Sequence, residues 1–522
     1  MYEHRTTSNN SIKLYLTKAP FSSFSFVEKN FKGIYSLRRC FSLARALGVK
    51  TLTLEDIPAK GIIEDENKEI LEFFPNYRCK GVVRLCFWKK EFKEPSDISS
   101  LSNRHLIGYA ILKHDSVKSK KFDRWHIFEA VFKIPSTMGF YITMPKSFKI
   151  TCNQKGFCVN GILYCQQNSL NKACAQVALR TLLSNHISQE DISYKQINTI
   201  CGITPQSGRK PSMGMGVSDI RAVLNNFKIG FKDIDYTQNE RLRYELPYQK
   251  FLYAGIESGA GALLGFHLSG PSIQDNLPPR HIIPFFGHTF NQHTWVPDSK
   301  ESYFDVGGGV GYLPSDNWTD SFIGHDDNFG PNYCVPTCHV KRESVDYVVE
   351  LFNSEVRYSG VHAEAVALGF VYSLVRAVDY KSSNNIWIKR LLHFTRHKKI
   401  VLRAVFVSKK RYLRHLLTCK DWEGNKERYE FIEGLEDVLP SFLWIIEISL
   451  PQLFPANERK VGEVVLNPYI KPNISTDVDF DLFLLARIPC YYFFLDSLKE
   501  NNPTFLLLKS NITSHMPLIK HR

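Results

Sequence analysis

The chain has 522 residues, 43% of them hydrophobic and 23% charged, which leaves room for two to four domains and excludes wholesale disorder. Its net charge of +14 is uneven: residues 1–150 carry 26 Lys and Arg against 15 Asp and Glu, residues 151–340 carry 14 against 16, and residues 341–522 carry 26 against 21. No run reaches the ~20 apolar residues of a membrane span, and the polar opening MYEHRTTSNNSIKLYL lacks a signal-peptide core, so a cytoplasmic protein with 12 reduced cysteines is expected.

In the first 150 residues, Tyr35–Gly48 (YSLRRCFSLARALG) predicts a helix stopped by its glycine, followed by a short strand over Lys50–Leu54. Gly81–Trp88 (GVVRLCFW), His105–Leu112 and Trp125–Phe132 predict three further strands, the last two joined by the basic loop KHDSVKSKKFDR. A basic α+β domain over 1–150 is therefore expected, with His126 and Glu129 as strand residues of no special role. The basic excess on both sides of the central segment suits an acidic partner, an anionic membrane surface or nucleic acid, although a solvated surface is the simpler reading. No RNP, zinc-finger or helix-turn-helix signature supports sequence-specific nucleic-acid binding.

The central segment, 151–340, carries the chemistry. Tyr164–Asn185 (YCQQNSLNKACAQVALRTLLSN) is a polar loop feeding a helix whose apolar face is Ala175, Ala178, Leu179, Leu182 and Leu183. Cys174 stands where the loop ends, so its sulfur meets the positive end of a helix, and Gln166 and Gln167 lie a few residues upstream. A lone cysteine at such a place is more often a small core residue, and the downstream sequence changes that balance. Ser193–Ile200 predicts a short helix, Gly202–Gly216 (GITPQSGRKPSMGMG) a loop, Ser218–Phe227 a helix, Lys228–Ile234 a strand, and ALLGFHL within Leu252–Leu268 another strand. His281 then opens an apolar strand, Ile282–Phe286, that ends at Gly287; a turn over His288–His293 leads to a strand, Thr294–Val296, that delivers Asp298. A hairpin of that length brings His281 and Asp298 to one end of a sheet, giving thiol catalysis its nucleophile, base and orienting carboxylate.

Rivals exist for each role. His267, His288 and His293 compete with His281, the last two being expected to face solvent or substrate, and Asn291 is second to Asp298. Cys334, Cys338 and His339 offer one ligand pair where structural zinc usually has two. The glycine run Val306–Gly311 (VGGGVG) lacks the Lys-Ser/Thr of a phosphate-binding loop and predicts a flexible loop beside the cleft. No cofactor and no metal are expected.

From about Gly161 to Pro314 the chain resembles the papain-like cysteine peptidases, and within them the branch of the bacteriocin double-glycine leader peptidases and their stand-alone relatives. The Gln upstream of a Cys-headed helix, the segment GVSDIRAVLNNFKIGF, the element HIIPFFG and the acidic WVPD carry that likeness. The resemblance implies Cys174 as nucleophile, His281 as general base and acid, Asp298 as orienting residue, and Gln167, or failing that Gln166, as oxyanion donor together with the Cys174 N–H. Gln167 precedes Cys174 by seven residues, one more than is usual in that branch, and Ala175 replaces its usual Gly or Trp. No ABC-transporter segments accompany the domain, so cleavage coupled to export is not expected.

Beyond Val340, Glu343–Phe352 and Ala363–Val378 have helical periodicity, and Ile400–Val407, Leu443–Leu450 and Val461–Leu466 predict strands. They suggest a second α+β region over 341–522 with a basic edge at Lys409–Arg414 and no catalytic set. The whole is expected to be α+β, with a papain-like domain at its centre whose Cys-headed helix packs on an antiparallel sheet. The expected function is a peptidase cutting a peptide or isopeptide amide, with deamidation and acyl transfer open to the same machinery. An inactive relative that binds peptides or proteins and a basic nucleic-acid-associated protein are the alternatives.

Overall fold

The computed structural model describes residues 12–134, 140–143, 145–186, 192–267, 280–289, 304–307, 310–377, 384–454, 458–473, 479–496 and 504–520. The amino-terminal region is a five-stranded antiparallel meander of Ile12–Leu16, Thr51–Asp56, Tyr77–Trp88, Leu106–Val117 and Phe122–Phe132, each paired with the next. GVVRLCFW is apolar at nearly every position because both of its faces are covered. Val83, Leu85 and Phe87 meet Leu37 and Phe41 of the helix Tyr35–Ala46. Val82, Cys86 and Trp88 meet Phe157 and Val159 of the hairpin formed by Lys146–Cys152 and Lys155–Gly161.

A second antiparallel sheet runs in the order Gly330–Pro336, Ser321–Asp326, Arg280–Thr289, Ala262–His267, Val345–Phe352, Gly230–Asp235, with Phe140–Ile142 also paired to Arg280–Thr289. Alternate side chains of its strands serve two helices. Ile282 and Leu263 pack against Ala178, Leu179 and Leu182 of the helix Cys174–His186. Ile283, Phe285 and Leu264 pack against Phe251, Leu252 and Ile256 of the helix Tyr248–Glu257 on the other side.

A third sheet has eight strands in the order Phe304–Gly307, Val310–Pro314, Val401–Ser408, Phe442–Ser449, Gly462–Leu466, Phe483–Ile488, Tyr491–Asp496, Thr504–Lys509. The pair Val310–Pro314 and Val401–Ser408 is parallel, and the other pairs are antiparallel. Leu368 and Phe370 of the helix Gly360–Ala377 share one core with Trp444 and Ile446 of this sheet and with Phe251 and Leu252 of the second. The architecture is mixed α+β with several antiparallel sheets. No helix among the described residues is long and apolar enough to cross a membrane.

Two local expectations change. Glu343–Phe352 has helical spacing, yet Val345–Phe352 is a strand inside the second sheet, paired on both edges. Short apolar runs rich in Val fit either period, and pairing with two neighbours decides between them. Of Val306–Gly311, expected as a cleft-side loop, Val306 and Gly307 end the strand Phe304–Gly307, and Val310 and Gly311 open the strand Val310–Pro314, the two strands pairing antiparallel at the edge of the third sheet. Both segments also carry sheets across residue 340, where a boundary between regions is expected from the sequence.

Candidate active site

Cys174 is the first residue of the helix Cys174–His186. Immediately before it, the Ala173 N–H donates to Oε1 of Gln176, 3.1 Å away, and the Ala173 carbonyl accepts from Val177, so the first turn is fixed at its start. The loop leading in is held by buried polar groups of the helix Ile62–Phe73. Asn168 donates to Glu66 at 3.2 Å, Asn171 and Asn198 donate to Glu69 at 2.6 and 2.8 Å, and Lys172 is ion-paired to Glu66 at 2.8 Å. Burial alone would raise the Glu66 carboxyl, but the charges of Lys113 and Lys172 bring it well below the ordinary range. Glu69, with no cation so close, is pushed up by burial to about 7, against the hydrogen bonds from Asn198 and Asn171. The amino-terminal region therefore positions the cysteine loop. Glu129, expected to have no special role, accepts from Arg180 of the Cys174 helix at 3.5 Å, and Arg180 also reaches the Cys165 sulfur and the Ile192 carbonyl.

His281 sits near the start of the strand Arg280–Thr289, largely buried. Its Nε2 lies 3.3 Å from Oδ2 of Asp326 and 3.5 Å from Oδ1 of Asp327, two buried carboxylates at the end of the adjacent strand. Asp326 is aimed by its own turn: Oδ1 accepts the N–H groups of Asn328 and Phe329 at 2.8 and 3.1 Å, which leaves Oδ2 for the imidazole. Burial pulls the ring toward neutrality, but the hydrogen bond with Asp326, the neighbouring Cys174 side chain and the charges of Asp327 and Asp326 outweigh it and raise His281 to about 10. The Asp326 carboxyl is lowered by the His281 hydrogen bond in spite of burial, whereas Asp327, whose Oδ2 has no hydrogen-bond partner, is raised by burial to about 6.

This ion pair has a signature in stability. His281 is raised above its unfolded value near 6.5, so its contribution is complete below about pH 6.5 and is lost as pH climbs through about 10. Thermal unfolding is expected to fall more steeply between those limits in the wild type than in His281→Gln; equal slopes would remove the ion pair from the account.

Tyr347 also borders Cys174, its hydroxyl raised first by burial and then by that neighbouring side chain. The ring lies flat over Gly265, where a Cβ would come within 2.3 Å of a ring carbon, so that position has to be glycine.

The four residues expected at the site have different outcomes. Cys174 and His281 come together. Asp298 lies outside the described residues, as do His293 and Asn291, and the carboxylates beside His281 are Asp326 and Asp327. Gln167 donates to Oδ1 of Asn328 at 3.3 Å and so belongs to the same corner as Asp326. Gln166 turns away, its Oε1 accepting from Ile127 at 3.0 Å in the first sheet. Of the rival histidines, His288 is buried against Glu257 at 2.8 Å and does not face solvent or substrate, because the strand continues through Gly287 to Thr289. His267 is 3.2 Å from Asp346.

Asp326 and Asp327 were missed because they lie 45 and 46 residues beyond His281, next to His325 in GHDDNFG. Two adjacent acids between the apolar run SFIG and an Asn-Phe-Gly turn were the available signal. A mutational comparison separates the two assignments. Asp326→Asn is expected to slow Cys174 chemistry roughly 10- to 100-fold by taking away the carboxylate hydrogen-bonded to the imidazolium and leaving only Asp327 beside it, and Asp298→Asn to leave the rate unchanged. The reverse ranking, read from rates of thiol alkylation, restores Asp298 to the role.

Cys334 and Cys338 are both exposed free thiols. Among the described residues, the group whose potential ligand atoms gather within 4.8 Å is His281, Asp326 and Asp327, a spacing a small cation could also bridge. The imidazolium already balances one of the two carboxylates there. No protein-family model, no curated protein and no solved structure matches this chain.

Proposed function

We propose that the chain is a thiol hydrolase of the cysteine-peptidase type, acting on a peptide or isopeptide amide, with Cys174 as nucleophile, His281 as proton carrier and Asp326 as positioning residue. The observation that carries this reading is His281 itself, which neighbours a thiol at a helix start and has a buried carboxylate 3.3 Å from its Nε2. An imidazolium beside a thiol at a helix N-terminus is the arrangement that in general favours thiolate attack. Cys174 Sγ would add to the amide carbonyl while Gln167 and the first-turn N–H groups receive the oxyanion. His281 would then give its proton to the leaving nitrogen as the C–N bond breaks. The ring would be a stronger acid at that point, since the thiolate that supports its charge has been consumed. Water, deprotonated by the now neutral ring, would release the acid and regenerate the thiol. A peptidase and an amide-forming transferase differ here only in the acceptor, and the papain-like relationship stands as part of the same proposal.

The test is reaction of the full chain with an electrophilic thiol-peptidase probe at neutral pH, mapped by peptide mass spectrometry. Cys174 is expected to be modified far ahead of the other eleven cysteines, including the exposed Cys334 and Cys338. Labelling that simply follows exposure, with Cys334 and Cys338 first, refutes an activated site and favours a peptide-binding protein without catalysis.

A further inference from the structure

The basic edge Lys409–Arg414 has no part in the proposed hydrolase. It forms the first turns of the helix Lys409–Thr418, which Ser408 caps through the Arg411 N–H. Beside this helix lies a cavity of about 470 Å³. One wall is Lys410, Arg411, Arg414 and His415, and the other is the chain end 517–520. No carboxylate lines it, and no ion pair to Lys410, Arg411 or Arg414 is present among the described residues. The far wall is anchored, because Arg411 donates to the Lys520 carbonyl and the Ile519 N–H donates to the buried Glu447 at 2.7 Å. The Arg411 guanidinium is lowered by burial and by the charges of Arg414 and Arg403, against the help of Tyr141. Nε2 of His415 is buried and has no hydrogen-bond partner. Burial and the charges of Lys460, Arg487 and Arg411, against Glu463, keep that ring neutral.

We propose that this cavity binds a small ligand carrying two or more phosphate groups. A surface whose only task is solubility has no need of concavity, of three cations at i, i+1 and i+4 on one wall, or of a buried nitrogen left without a partner. The volume falls in the range of small-molecule pockets, roughly 300–1,000 Å³, and the cations form a cluster instead of the extended stripe that tracks a nucleic-acid backbone. Arg411 and Arg414 present forked donors to phosphate oxygens, Lys410 adds a point charge, and the His415 ring can complete a hydrogen bond at the floor.

Isothermal titration of the full chain with inorganic tripolyphosphate, at about 0.1 M salt to screen diffuse attraction, tests this. One saturable site is expected, weakened about tenfold or more in Arg411→Gln/Arg414→Gln. The matched double variant Lys118→Gln/Lys121→Gln, which removes two exposed charges from the turn between two strands of the first sheet, is expected to bind as wild type does. Acetylation footprinting of the unmutated protein gives a second reading: tripolyphosphate should protect Lys410 and leave Lys118 reactive. Absence of binding, equal weakening by both double variants, or protection of both lysines alike overturns the proposal. Tighter binding of a single-stranded oligonucleotide at the same residues overturns it in favour of a nucleic-acid surface. None of these readouts depends on Cys174.

Discussion

Replacing His281 with alanine is expected to slow alkylation of Cys174 by roughly 10²- to 10⁴-fold at neutral pH, the range over which a positioned acid–base group acts. The ring is largely buried, fixed through Nε2 by Asp326, and neighbours the Cys174 side chain. Removing it takes away the proton carrier and leaves two buried carboxylates, Asp326 and Asp327, facing the thiol without a cation. Those charges oppose a thiolate, so the loss should exceed that of Asp326→Asn, which leaves the ring in place. The pH dependence separates the variants further. His281 holds its proton to about pH 10, so between pH 6.5 and 9 the wild-type thiol reacts beside an imidazolium and the variant's does not, and the gap in rate is expected to persist across that range. A His281→Ala protein that labels at the wild-type rate across this range would leave the chain without an activated nucleophile.

Arg403→Met is expected to destabilise the protein by about 3–5 kcal/mol, a large share of the ~5–15 kcal/mol that holds a typical domain folded. Arg403 is buried on the strand Val401–Ser408 and reaches in two directions. Nη2 pairs with Glu257 Oε2 at 3.0 Å, on the helix that backs the His281 strand, and Nη1 pairs with Glu447 Oε2 at 2.9 Å on the next strand. Glu257 is also bonded to His288 and Glu447 to Lys460, so a single guanidinium links the second and third sheets through a chain of buried charges. Methionine fills much of the volume but leaves both carboxylates short of a partner. The double variant Glu257→Gln/Arg403→Met should recover part of the loss, because it removes one of the stranded charges together with the cation. Urea unfolding checks both; a cost below about 1 kcal/mol for the single variant would mean that the link between the sheets carries little energy.

Much of the site was legible because its parts are local. The apolar face of Ala175, Ala178, Leu179 and Leu182 belongs to a single helix, and a cysteine placed at the start of that helix follows from reading one window of sequence. The same holds for His281 at the head of an apolar strand. The carboxylate was not legible in this way. Asp326 reaches His281 because Ser321–Asp326 lies beside Arg280–Thr289 in the sheet, and strand order is a long-range property that no window contains. Gln166 and Gln167 are indistinguishable as neighbours in a loop until Ile127, 39 residues upstream, hydrogen-bonds the first of them and leaves the second to Asn328. The amino-terminal region illustrates the same limit: its basic surplus suggests a partner outside the molecule, whereas Glu66 and Glu69 turn inward to hold the cysteine loop.

By itself the sequence determined most of the helices and strands, the mixed α+β class, and a thiol at the start of one helix and an imidazole at the start of one strand, since side-chain periodicity acts within a few residues. The tertiary structure decided which strands pair, that Val345–Phe352 is a strand, which carboxylates face His281 and which glutamine stands near them. Those choices rest on burying charge and apolar surface together across the whole chain, and the free energies that settle them arise only once distant segments meet.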